Sequence, residues 1–143
     1  MYLRLCRTIP VSFFMVATVL LMVGCEHSQG IVTPPRPTLP PLSDIQLKIL
    51  TPKCAIPGCH VPGGAAPMSL QTGVSFGTLV NVTSTGYAPR QRVTPNNSAN
   101  SVLFLKVTGN AATASRMPLG STPLSQADIS AIQQWIDTGA LNN

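Results

Sequence analysis

Apolar positions recur with helical spacing at the two ends of the region 43–143. Near its start, Ile45 and Ile49 stand four apart and share one face. Ser43 is placed as an N-cap with Gln46 three residues on, a capping-box pattern, and Leu42 and Leu47 sit where a hydrophobic staple would close. Thr51-Pro52 predicts the stop, because the residue before proline is pushed out of the α region. At the other end Ile129, Ile132 and Ile136 form a stripe at i, i+3, i+7 with Trp135 beside it. Ser125 and Asp128 predict a second capping box, Leu124 and Ile129 its staple, and Gly139 the residue just past the helix.

Between these helices the pattern is weaker. The stretch 74–80 predicts a short helix burying Phe76, Leu79 and Val80. Ser101 is placed to cap another that carries Leu103, Phe104 and Val107 and stops at Gly109. Long Gly/Pro/Asn/Ser loops join the pieces, and Val80 to Thr83 is too short to make a strand. The expected class is mostly α with much loop.

The N-terminal pattern is different. Arg4 and Arg7 precede an apolar run from Val11 to Val23, thirteen residues long. A spanning helix needs about 20, so residues 1–24 read as an export signal. The run ends in Leu-Met-Val-Gly before Cys25, which resembles a bacterial lipobox and makes Cys25 the candidate lipidation site. Glu26 follows, where such lipoproteins retained at the inner membrane carry Asp, so the outer membrane is the expected anchor. Residues 25–42 hold Pro34, Pro35, Pro37, Pro40 and Pro41 and predict an extended tether.

This division changes what composition says. The whole chain has 143 residues, a net charge of +5 and a mean hydropathy of +0.27. Without Arg4 and Arg7, seven basic residues face four acidic ones, giving +3. The remaining cations are scattered and not interleaved with aromatics, which argues against a nucleic-acid surface.

With Cys6 in the signal and Cys25 at its end, Cys54 and Cys59 remain, in Cys54-Ala55-Ile56-Pro57-Gly58-Cys59-His60. The spacing is C-x4-C-H, two residues wider than the usual c-type haem signal. Pro57-Gly58 is a turn pair that can absorb the extra length. Haem attachment needs two thiols for two vinyl groups and a histidine directly after the second thiol as an axial iron ligand. A disulfide in an exported protein fits the two thiols at least as well. Zinc would lack an evident fourth ligand.

Further pieces follow in order: Ile45 to Leu50 before the motif, Arg92-Val93-Thr94-Pro95, Ser101-Val102-Leu103, Arg116-Met117-Pro118-Leu119, and Ile129 to Ala140. Together they resemble the small monohaem, class I-like cytochrome c domains of bacterial lipoproteins and planctomycete-type cytochromes, over nearly all of residues 43–140. The resemblance implies N- and C-terminal helices packed around one haem c, with Trp135 and Ile132 against Ile45 and Ile49. It implies thioether links at Cys54 and Cys59, His60 as proximal iron ligand and Met117 as distal ligand, with Met68 left to packing. Arg90, Arg92 and Arg116 become candidates to face the haem propionates. The implied role is electron transfer with redox proteins of the cell envelope rather than catalysis; the four carboxylates, Glu26, Asp44, Asp128 and Asp137, offer no acid/base pair. Two alternatives stay open: a haem-free, disulfide-stapled binding module, and a haem peroxidase or gas sensor in which Met117 does not ligate.

Overall fold

A computed structural model describes residues 39–143. The expected signal at 1–24, the lipidation site Cys25 and the tether as far as residue 38 lie outside the described residues. The elements are α1 (Leu42–Ile45), a π-helical segment (Gln46–Leu50), α2 (Thr51–Lys53), α3 (Ser75–Leu79), α4 (Val102–Thr108) and α5 (Gln126–Asp137). Short 3₁₀ turns occupy Ser98–Asn100 and Ala111–Thr113. Among the described residues there is no sheet, only isolated bridges between Val80 and Val93 and between Thr83 and Gln91. None of the described helices is long and apolar enough to cross a membrane.

α5 forms as its sequence dictates. The Ser125 hydroxyl accepts the Asp128 N–H, and the Asp128 carboxylate accepts the Ser125 N–H in return. At the other end Gly139, at φ +109°, donates to the Ile136 carbonyl while Ala140 donates to that of Trp135. These two bonds make a Schellman motif, satisfying carbonyls that the helix leaves open. Ile129, Ile132, Trp135 and Ile136 are all buried.

The first helix departs from the sequence expectation. Its N-cap is Pro41, in extended backbone, and Ser43 lies inside the first turn without a capping bond. The N–H groups of Leu42 and Ser43 instead donate to the side chain and main-chain carbonyl of Asn143. With those donors satisfied by Asn143 at the far end of the described chain, Gln46 is not needed as a cap and turns into the core. Leu47 is 70% exposed, so the expected staple does not form.

Pro52 does not end the helix either. Thr51 keeps helical backbone and donates to Gln46, five residues back. In an α-helix the Pro52 ring would press on the carbonyl four residues earlier. The wider π turn opens that spacing and lets the helix run on to Lys53.

α1 and α5 pack against each other, and Ile45, Ile49, Leu50, Ile132, Trp135 and Ile136 share one core with Leu70, Leu79 and Val93. α4 packs on α5 and stops at Gly109, at φ +73°. Ser101 occupies the N-cap position of α4 but does not cap it; its hydroxyl accepts from Thr94 N–H and donates to Asn97. In α3, Leu79 is fully buried, while Phe76 and the adjoining Val80 are only half-buried. Val107 of α4 is buried, whereas Leu103 and Phe104 also stay half-buried.

One ion pair fixes α2 to α5. Lys53 Nζ lies 2.6 Å from Asp128 Oδ2, and the lysine hydrogen bond is the main reason the carboxyl sits below its usual range, with the Ser125 hydroxyl adding to the effect. A lowered carboxylate contributes stability above its unfolded pKa and loses it as pH falls through the folded value. Asp128→Ala removes both the pair and the capping box, so a loss of about 1–2 kcal/mol is expected in urea unfolding at pH 7. The difference between variant and wild type should shrink in acid.

Candidate functional site

The motif begins where α2 ends. Cys54 and Ala55 N–H groups both donate to the Leu50 carbonyl, the last bonds of the first helical stretch. Ile56 to Cys59 then close a tight turn, with Cys59 N–H donating to the Ile56 carbonyl at 3.0 Å. Pro57 supplies the fixed φ of its second position and Gly58, at φ +79°, its third, the signature of a type II turn. The extra residues of C-x4-C-H are thus looped out. His60 N–H returns to the Cys54 carbonyl at 3.2 Å, bringing the first thiol residue and the histidine main chain together.

The next residues wrap this turn. Gly64 donates to Val61 and Ala65 to Gly58. A Cβ on Gly64 would overlap the Cys59 carbonyl oxygen, so only glycine lets the strand of chain pass there. Leu70 N–H then donates to the His60 carbonyl at 2.9 Å. Met68, on the same strap, packs against the core.

Cys54 and Cys59 are unbonded thiols, each half-buried. Among the described residues no group of three or more His, Cys, Asp or Glu side chains is gathered as an ion site. Burial pushes the Cys54 thiol up from 9.0 to about 11, against the pull of the Lys53 ammonium and with a smaller push from Cys59. Because the folded value is the higher one, the neutral thiol's contribution is complete below pH 9 and is lost as pH rises through 11. The haem-free, reduced protein is therefore expected to lose about 2–3 kcal/mol over that range. Urea midpoints at intervals across it check this, and Cys54→Ala should remove that share of the slope.

His60 is also half-buried, and its Nδ1 is buried with no hydrogen-bond partner. Such an atom costs about 1–3 kcal/mol when left unpaired. Burial lowers the imidazole pKa, a hydrogen bond to the Met68 backbone opposes this and the Arg92 charge adds to the lowering. The ring is accordingly neutral at pH 7, the form that ligates metals.

Half-buried apolar side chains pack on the closed core: Cys54, Ala55, Met68, Phe76, Val80, Leu103, Phe104 and Ala131. They come from the motif, the strap, α3 with the residue after it, α4 and α5. Half-buried apolar side chains, the two thiols and the neutral imidazole are residue types that could hold a haem.

Of the three candidate arginines, only Arg92 is nearly buried, at 9% exposure. Its Nη1 donates to the Thr78 carbonyl at 2.8 Å. The described carboxylates are engaged elsewhere: Asp44 with Lys48, Asp128 with Lys53, and Asp137 with Ser98. Arg116 is exposed and donates from Nε to the Val107 carbonyl, and Arg90 is half-buried.

Met117 belongs to a separate loop. Its N–H donates to the Lys106 carbonyl near the end of α4, its side chain is half-buried, and the bond to Pro118 is cis. No hydrogen bond joins it to the cysteine–histidine motif among the described residues.

Gly64, Gln46 and Ser75 escape a sequence reading of the site. Only the Gly63-Gly64 pair offers a local hint; the other two matter through contacts far along the chain. Comparison with protein-family models, curated proteins and solved structures gives no match.

Proposed function

We propose that the chain is a monohaem c-type cytochrome, lipid-anchored through Cys25 in the bacterial cell envelope, that passes electrons between redox proteins. The observation that carries this reading is the Cys54–Cys59–His60 turn, with a neutral imidazole whose buried Nδ1 finds no partner in the described chain. Bound haem supplies a one-electron ferrous–ferric couple.

The chain's own residues give that couple its setting. Cys54 and Cys59 would hold the haem covalently, with the type II turn setting their separation. His60 and Met117 would hold its iron, and the Met117 thioether would favour the ferrous state. Half-buried apolar side chains, Phe76 and Phe104 among them, would exclude water and so disfavour extra ferric charge. Arg92 is the candidate to meet a propionate: a nearly buried cation is costly without an anion, and the described carboxylates are taken. The same engagement of Asp44, Asp128 and Asp137 leaves no free carboxylate pair among the described residues, which favours electron transfer over hydrolysis.

The optical spectrum of protein expressed with a cytochrome c maturation system tests the reading. A low-spin spectrum that sharpens on dithionite reduction is expected. A high-spin ferric spectrum would favour the peroxidase or sensor. No Soret band, with Cys54 joined to Cys59, would favour the stapled module.

A further inference from the structure

We infer that Gln46 is a positioning residue for His60, acting through Leu70. This rests on the haem reading of the site. Gln46 lies 7% exposed on the core side of the first helical stretch, where an apolar side chain would incur no desolvation cost. Its amide is well satisfied. Nε2 donates to Thr51 Oγ1 and to the Leu70 carbonyl, both at 2.9 Å, and Oε1 accepts from Ser75 Oγ.

Two of these partners lie outside its own helix, on the stretch that follows the histidine. Leu70 is held on both sides: its carbonyl accepts from Gln46, and its N–H donates to the His60 carbonyl. The His60 N–H in turn donates to Cys54, at the end of the helical stretch that carries Gln46. The circuit Gln46–Leu70–His60–Cys54 closes on a single rigid element. The π segment begins at Gln46, and such segments recur at functional positions. Without the Gln46 amide, the strap carrying His60 keeps one fewer tie to the helix that carries Cys54. The imidazole plane would then settle differently relative to the thiol.

Gln46→Met, similar in length and unbranched, tests this in the holoprotein. The readouts are the ferric haem-methyl hyperfine shifts in proton NMR, which depend on the imidazole plane, and the ferric high-spin fraction. An altered order of methyl shifts is expected, with about a fivefold rise in the high-spin fraction, the size expected for losing one buried hydrogen bond. Thr51→Val removes a bond of the same amide and the long 3.5 Å hydroxyl contact to Thr72 but leaves the Gln46–Leu70 bond intact, and should keep the wild-type pattern. Gln46→Met with wild-type shifts and spin state would overturn the inference, as would Thr51→Val disturbing them equally. If Gln46→Met yields no holoprotein, Ser75→Ala, which frees the amide's other arm, takes its place. It should shift the pattern in part, and an unchanged pattern overturns the inference. A wild type without haem ends the underlying reading and this inference with it; a haem-bearing wild type with an unmoved Gln46→Met ends this inference alone.

Discussion

Replacing Cys54 and Cys59 together by Ser is expected to leave no haem that survives denaturation and extraction. Each single replacement should leave one thioether, with a reduced pyridine-haemochrome band shifted to longer wavelength by the remaining vinyl group. The two residues are not equivalent. Cys54 ends the helical stretch, packs against the core and has a thiol pushed up to about 11. Cys59 sits after a turn and is held by the Ile56 carbonyl and by Gly64 packing on its own carbonyl. Losing the Cys54 link should therefore loosen the haem more. The double variant should also be the least stable, because Phe76, Phe104 and their neighbours would remain half-exposed with no ring to cover them.

The second large effect belongs to Met117. Met117→Ala should abolish the weak near-infrared sulfur-to-iron band. The potential should fall by well over about 59 mV, the one-electron equivalent of a tenfold change. The loop that carries Met117 is fastened by its N–H to the Lys106 carbonyl and by Arg116 Nε to the Val107 carbonyl. That fastening should keep the variant folded while opening an iron position to added imidazole. A near-infrared band that survives would assign the sixth position to another residue, with Met68 the next candidate.

The helices were legible where their signals are local. Ser125, Asp128 and Gly139 act within a few residues of the chain they cap, and the α5 stripe faces inward as its spacing requires. The first helix misled because its N-terminus is satisfied by Asn143, a partner that local spacing cannot reveal. Freed from capping, Gln46 became a core amide bound to Leu70 and Ser75. The Thr51-Pro52 stop failed because Thr51 keeps helical backbone despite the proline after it, and a π turn eases the press of the Pro52 ring on the carbonyl four residues back. Ser101 stands at the predicted cap position, yet Thr94 and Asn97 claim its hydroxyl.

At the site, the Pro57-Gly58 turn was legible because both residues carry their backbone preference with them. The choice among Arg90, Arg92 and Arg116 was not, since charge is written in the sequence but burial is not; only the fold separates the nearly buried Arg92 from half-buried Arg90 and exposed Arg116. Gly64 needs the Cys59 carbonyl beside it before its lack of a side chain acquires meaning.

The most direct measurement is the intact mass of the wild-type protein, matured in a host that attaches c-type haem and analysed under denaturing, reducing conditions. The account predicts a mass increased by one haem, on the peptide that contains Cys54 and Cys59. A peptide of unmodified mass bearing two free thiols after reduction would contradict it.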